Sequence, residues 1–391
     1  MPAANAPSAR PEPIRVLHII THLAIGGAEM MLFKILSGMD RSAFRSEVVS
    51  LRGHGPVSEL IEGLGVPVHV LGMKPNRLTF AAVQRLRAIT KALGPDLVHG
   101  WMYHGNFMAT LNQAVAGGLR GRVLWNVRQT LYRLRDEKPG SAVVTVLNRV
   151  LSHSPAAIVY NSKIARAQHR AFGFADHHGI IIPNGFDCNL FKPSAEARAH
   201  FRSMLGLNED HVLVGAIGHF HPRKDYPTLL KAAALVTQRH PQTRFLIAGR
   251  ELTPDNPVLT QLIAAGNLQG RVFLLGERRD IPSLTAALDI ACSSSARVEA
   301  FPNVIGEAMA CGVPCAATAI GDTPMIVGES GRIAEPGSPD SLCEAISALV
   351  AAGPDGRRAM GELARRTILN GYSLESVVAQ YEQLYRSTAR A

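Results

Sequence analysis

Val16-Leu17-His18-Ile19-Ile20 is a short β-rich run, followed by Gly26-Gly27-Ala28-Glu29 and then by Met30, Met31, Leu32, Ile35 and Leu36 at helical spacing up to Gly38. A strand, a glycine turn and an amphipathic helix in that order make half of a βαβ unit, and such units build parallel sheets covered by helices. Outward from this stretch, β-type runs at residues 47–51, 66–70, 96–99, 123–127 and 157–160 alternate with helical patterns. They account for one doubly wound domain. The pattern restarts after Pro183-Asn184-Gly185. Residues 212–218, 244–248, 272–275 and 289–292 read as strands, 226–239 as a helix begun by Pro227, and Asp280 followed by Pro282 as a further helix start. The sequence therefore predicts an α/β chain of two Rossmann-like doubly wound domains facing each other across a cleft. Residues 1–13 read as a flexible lead, 14–185 and 186–371 as the domains, and 372–391 as a final helix packing back towards the first domain.

At 391 residues, 47% apolar and 18% charged, the chain is long enough for two buried cores. No apolar run reaches the roughly 18 residues needed to span a bilayer. The Pro/Ala-rich start lacks the charged-then-apolar order of a signal peptide, so a cytoplasmic location is expected. Cys188, Cys292, Cys311, Cys315 and Cys343 are odd in number and contain no Cys-x-x-Cys, which argues against a disulfide framework and against a zinc site.

The net charge of +10 is unevenly spread. Residues 1–185 hold 21 Lys and Arg against 10 Asp and Glu, and the remainder holds 20 against 21. The first half is thus the one expected to face an anionic surface or substrate. Its densest cluster is Arg128, Arg133, Arg135 and Lys138, followed by apolar residues 143, 146, 147, 150 and 151 on one helical face. The plainer expectation is a helix packed inside its own domain; the other is contact with an anionic membrane. No zinc spacing, RNA-binding aromatic motif or basic zipper accompanies the charge, so nucleic acid is not an expected partner.

Glu299-Ala300-Phe301-Pro302-Asn303-Val304-Ile305-Gly306-Glu307 carries two carboxylates across a loop-to-helix junction. Pro302 and Asn303 favour a helix start, and Gly312 with Pro314 favours its end, so Glu307 falls about one turn inside a short helix. Amides of Ala300, Phe301 and their neighbours at such a start form an anion site, and each carboxylate accepts hydrogen bonds from sugar hydroxyls. In isolation, a Glu-x7-Glu more often marks two solvated glutamates beside a core helix.

The surroundings change that weighting. Ser293-Ser294-Ser295 before the loop and Glu307-Ala308-Met309-Ala310-Cys311-Gly312-Val313-Pro314 after it resemble the donor-site signature of retaining glycosyltransferases of family 4. Gly26-Gly27-Ala28-Glu29 resembles that family's glycine loop, Ile182-Pro183-Asn184-Gly185-Phe186-Asp187 its interdomain segment, Trp101-Met102-Tyr103-His104 its acceptor-side histidine region, and Asn370-Gly371-Tyr372-Ser373 through Tyr385 its final helix. The resemblance covers nearly all of the chain after residue 14. It implies the GT-B architecture, with residues 14–185 binding acceptor and 186–371 binding a nucleotide-sugar, a UDP-sugar being favoured.

The resemblance also implies roles. Lys224, after the run 212–218, would hold the donor diphosphate and offset leaving-group charge. His104 would orient the donor sugar, Glu299 would contact the hexose, and His104, Lys224 and Glu299 form the implied catalytic set. Gly26 and Gly27, His219, Arg223, Gly276, Arg278, Ala300, Phe301, Pro302, Asn303 and Glu307 complete the implied donor site, with Gly249 and Arg250 beside it. His99 is assigned a structural role. Three departures stand out: His219 replaces an arginine, leaving Arg223 to supply the missing charge, Ala300 replaces a glycine, and Ala319 stands where the family often has an aspartate. No Asp-x-Asp occurs, so no metal or other cofactor is expected. The implied reaction retains anomeric configuration, transferring sugar to a glycan or lipid-linked acceptor in polysaccharide or glycoconjugate biosynthesis. A nucleotide-sugar epimerase of the same architecture and a non-catalytic nucleotide-sugar binding protein are the alternatives.

Overall fold

The computed structural model of the chain describes residues 12–74, 77–115, 122–131, 134, 139–297 and 299–390. Among them the first sheet has strands β1 (Ile14–Ile20), β2 (Phe44–Ser50), β3 (Val68–Val70), β4 (Leu97–Trp101), β5 (Arg122–Val127), β6 (Ala157–Tyr160) and β7 (Gly179–Ile181), all parallel, in the order β3-β2-β1-β4-β5-β6-β7. Helices α1 (Gly27–Gly38), α2 (Pro56–Gly63), α3 (Phe80–Leu93), α4 (Met102–Val115), α5 (Pro139–Leu151) and α6 (Lys163–Phe172) connect them. The strands are apolar on both faces because helices cover both. One core packs α1 residues Leu32 and Ile35 against Val16 and Ile20, and another packs Leu86 of α3 and Met108 of α4 against Leu17 and Ile19.

The second sheet comprises β8 (Val212–Ile217), β9 (Thr243–Ala248), β10 (Val272–Leu274), β11 (Ile290–Ser293), β12 (Cys315–Thr318) and β13 (Gly331–Ala334), parallel, in the order β10-β9-β8-β11-β12-β13. Around it lie α7 (Ala195–Met204), α8 (Tyr226–Arg239), α9 (Pro257–Ala265), α10 (Ile281–Ala286), α11 (Asn303–Ala310), α12 (Thr323–Val327), α13 (Pro339–Ala351) and α14 (Gly353–Gly371). The order of connections reverses between β1 and β4 in the first sheet and between β8 and β11 in the second. Each reversal leaves a crevice beyond the strand ends where a ligand sits.

The chain then returns. Phe186 pairs with Ser373, and α15 (Leu374–Arg390) packs Val377, Val378, Tyr381 and Tyr385 into the core of the first sheet. Buried polar contacts fix it there: the Tyr385 hydroxyl lies 2.8 Å from His99 Nδ1, and Asn126 Nδ2 donates to the Tyr381 hydroxyl at 2.9 Å. His99 thus has the structural role assigned to it. All five cysteines are buried and unpaired with one another.

Two expectations need correction. Arg128 is no surface cation: it is buried, donating to Asn126 Oδ1, the Tyr381 hydroxyl and Asn184 Oδ1. Arg133, Arg135 and Lys138 lie outside the described residues. The apolar face of α5 is also not packed in its own domain, since Val143, Val146, Leu147 and Val150 are 61%, 39%, 41% and 68% exposed. Leu151 alone of that face packs on the first-domain core, with Val144 beside it, and the fully buried residues of α5 are polar: Thr145 and Asn148, whose Nδ2 donates to the Tyr103 carbonyl at 2.8 Å.

Candidate functional site

Two strand ends of the second sheet bring Lys224 and Glu299 together. Lys224 follows β8 in a short 3-10 turn, and Glu299 follows the buried serines after β11, on the two sides of the crevice between those strands. Lys224 Nζ lies 2.6 Å from Glu299 Oε1, and the Ser295 hydroxyl donates to Glu299 Oε2 at 2.6 Å. The loop is tied behind by Ser294, whose hydroxyl donates to the Lys224 carbonyl at 2.7 Å. Ala300 adopts no positive φ, so the Cβ absent from a glycine is tolerated without strain. Phe301 turns its ring into the core against Phe186 and Tyr372, leaving only its backbone for a ligand.

Pro302 sits at the N-cap of α11 and Asn303 opens the helix, with no side chain capping it. Gly26 likewise precedes α1 without a side-chain cap. These two N-termini, neither with a capping side chain, face one another: a Cβ on Gly27 would lie 3.8 Å from Asn303 Nδ2. Unpaired helix N–H groups with the positive dipole end form a ready anion site. The Glu29 carboxylate folds back over this end of α1, to within 2.4 Å of where a Cβ on Gly26 would stand, a contact its flexible side chain could relieve. Asn303 is anchored from the interdomain segment by Asn184, whose amide donates to Asn303 Oδ1. Asp322 makes a further tie between the domains, accepting from the backbone N–H groups of Lys163 at 2.7 Å and Ile164 at 3.1 Å at the start of α6.

Glu307 lies one turn into α11, and burial pushes its carboxyl up to about 7, opposed by Lys34 of α1. His219 is held below the ordinary histidine range by burial and by the neighbouring His221, Lys224, Arg250 and Arg223. Arg223 is exposed and its Nε lies 3.5 Å from His221 Nδ1, while Lys224 takes the Glu299 position. Gly249 and Gly276 adopt positive φ in the loops after β9 and β10, and Gly249 N–H donates to the Gly276 carbonyl at 2.7 Å. Arg278 forms a bidentate pair with Asp280, at 2.8 and 2.6 Å, and lies over the Phe201 ring. That gives it a packing role at the start of α10 and explains why Asp280 does not cap that helix.

At the first sheet's crevice is a cavity of about 400 Å³. His104, in the first turn of α4, lines it together with His22, Glu29, Arg52 and Arg128. His104 Nε2 is buried and without a partner among the described residues. Burial, then the Arg52 charge, keeps the His104 imidazole below its ordinary range and so neutral near pH 7. Glu29 lies 3.2 Å from His22 Nδ1, and burial raises its carboxyl. His22, Arg52 and Arg128 were not singled out as cavity residues from the sequence. The available signal was their place just after strands β1, β2 and β5.

Two sheets of this topology, with crevices opening at both reversal points, match what known proteins show. The model for Glycosyltransferase Family 4 matches residues 25–190, and that for Glycosyl transferases group 1 matches residues 211–352. The chain belongs to the family 4 glycosyltransferases of GT-B fold. EpsF of Bacillus subtilis (strain 168), which carries a provisional glycosyltransferase name, is 26% identical over 77% of this chain and 78% of its own length. The UDP-Gal:alpha-D-GlcNAc-diphosphoundecaprenol alpha-1,3-galactosyltransferase of Escherichia coli is 30% identical over 52% of this chain and 53% of its own. The chain thus spans most of EpsF but about half of this second relative. The crystal structure of Anabaena HepE in complex with UDP has the same fold, with a TM-score of 0.83 at 23% identity over 96% of this chain and all of that one.

Proposed function

We propose that this glycosyltransferase takes its sugar from a UDP-sugar, retains the anomeric configuration, needs no metal and delivers to a glycan or lipid-linked acceptor in polysaccharide or glycoconjugate assembly. The observation that carries the reading is the meeting of Lys224 and Glu299 beside a loop that leads into the uncapped N-terminus of α11, itself opposite the glycine start of α1. A donor diphosphate fits that arrangement, with the helix N-termini and the Lys224 ammonium stabilising charge as the phosphate leaves. Glu307 then accepts from ribose hydroxyls and Glu299 from hexose hydroxyls. A neutral His104 can donate or accept one hydrogen bond at the sugar. With retention, the acceptor hydroxyl attacks from the face the nucleotide leaves, and a diphosphate oxygen takes its proton.

The Escherichia coli relative is named for UDP-Gal and a diphosphoundecaprenol acceptor, and HepE has been crystallised with UDP-glucose; both favour uridine and a glycan or lipid-linked acceptor. The 400 Å³ cavity beside His104 favours transfer over epimerisation, which needs no second substrate, and over mere binding. A cytoplasmic enzyme resting on an anionic membrane accords with the exposed apolar face of α5. Among the described residues no helix is long and apolar enough to cross a membrane.

A thermal-shift screen with UDP, GDP, ADP and their sugars tests the donor: UDP and one UDP-sugar should raise the melting temperature most. A larger response to GDP or ADP overturns the uridine assignment. Turnover should persist in EDTA, and an absolute need for added Mg²⁺ or Mn²⁺ would overturn the metal-free mechanism.

A further inference from the structure

We propose that the cavity in the first domain is built for an acceptor bearing an oxyanion, a phosphate or carboxylate, gripped by Arg52 and set against His104. This deepens the transferase reading and rests on it. Arg52 follows β2, and its backbone N–H donates to the Thr21 carbonyl at 3.1 Å, which fixes it at the cavity wall. Its half-buried guanidinium makes no hydrogen bond or ion pair among the described residues. Five N–H donors in a rigid fork are thereby left for something that enters, and a fork of that shape matches a carboxylate or phosphate with two parallel bonds.

The rest of the lining points the same way. Arg128 is buried with oxygens of neutral groups only, from Asn126, Tyr381 and Asn184, and its guanidinium lies 5.8 Å from the Trp101 ring centre. Its charge is therefore uncompensated by a carboxylate among the described residues. Glu29, the carboxylate of the lining, lies 3.2 Å from His22 Nδ1 and folds back over the start of α1. Two guanidinium groups thus share the recess with one carboxylate, and low dielectric there strengthens the attraction for an anion. The unpartnered Nε2 of His104 adds a polar atom beside Arg52. An uncharged sugar would leave Arg52 unsatisfied, whereas an oxyanion on the acceptor would hold its hydroxyl in one orientation. The donor diphosphate has its own cation in Lys224, on the other domain, so Arg52 is surplus to donor binding.

The test titrates the protein, with and without saturating UDP, against matched probes: glucose 6-phosphate and glucose, L-malate and its dimethyl ester, and vesicles of phosphatidylcholine with or without phosphatidic acid. Expected is binding of at least one charged member and no binding of its neutral partner, weakened about tenfold or more in Arg52→Ala and Arg52→Gln. The rise in melting temperature caused by UDP should survive in both variants, which also shows that they fold. Preference for a soluble probe assigns a small free acceptor, and preference for phosphatidic acid vesicles assigns a lipid-borne one. Equal binding of charged and neutral members, no binding of any charged probe, or charged-probe binding that survives both substitutions overturns the proposal. Loss of the UDP response in the variants overturns it too, by placing Arg52 at the donor phosphates. If wild-type protein ignores UDP, the donor reading fails, while the titrations without UDP still decide the oxyanion site.

Discussion

Glu307 is a carboxyl with two tasks that conflict. In the proposed donor site it would accept hydrogen bonds from a ribose as a carboxylate, yet burial favours its protonated form and pushes it up to about 7. A group whose folded pKa is raised stabilises the fold below its ordinary value of 4.5, and that contribution is lost as pH rises through about 7. Glu307→Gln should therefore match wild type in melting temperature near about pH 4 and exceed it near about pH 8. The gap should be about 1–2 kcal/mol, discounted because the side chain is only half-buried. A gap that does not change with pH would show that Glu307 is not titrating there. For function the expectation divides: Glu307→Ala raises donor KM, whereas Glu299→Ala, which frees Lys224 from its 2.6 Å partner, mainly lowers kcat. Losing a hydrogen bond of this charged kind costs about 1.5–3 kcal/mol, so unchanged kinetics in both variants would remove the donor-site assignment.

Elements differ in how visible they are from residues alone. The helix holding Glu307 was legible because Pro302, Asn303, Gly312 and Pro314 are local signals, and the structure runs it from Asn303 to Ala310. Strands β7, β12 and β13 were missed: their Gly179-Ile180-Ile181, Cys315-Ala316-Ala317-Thr318 and Gly331-Arg332-Ile333-Ala334 carry few β-branched or aromatic residues, two in the first and one in each of the others, and pairing with β6, β11 and β12 in turn is what makes them strands. Arg128 was misread for a related reason. Charge suggests exposure, and only the return of α15 with Tyr381 supplies the partner that lets a guanidinium be buried. At this scale the loops after β8 and β9 make a testable joint. Gly249 has φ of 143°, and a Cβ there would stand 1.3 Å from the Gly218 carbonyl oxygen. Gly249→Ala should push those loops apart, lowering stability by about 1–3 kcal/mol and weakening nucleotide binding more than Arg52→Ala does. Melting curves and UDP titrations on the two variants decide it; a Gly249→Ala protein with wild-type UDP affinity would detach this joint from the donor pocket.

Over the whole molecule, an exposed apolar stripe lies along the helix that borders the cavity of the first domain. Ser141, in the first turn of α5, lines the first-domain cavity, and Val143, Val146, Leu147 and Val150 continue along the same helix as exposed apolar residues. Arg149 is exposed next to Val150, in a half-chain that carries the positive excess. An apolar stripe with basic neighbours is what an interfacial helix presents to anionic lipid, where each cation near the surface adds about 1 kcal/mol. The cavity would then open beside the bilayer, where a lipid-linked acceptor enters without leaving the membrane. Co-sedimentation should occur with anionic vesicles at low salt and fade as salt screens the charges. Replacing Val143, Leu147 and Val150 by Ser should abolish it even at low salt, while UDP binding in the other domain is kept. Equal recovery with neutral and anionic vesicles, or binding that survives the triple substitution, would separate α5 from any membrane and leave a soluble acceptor as the substrate.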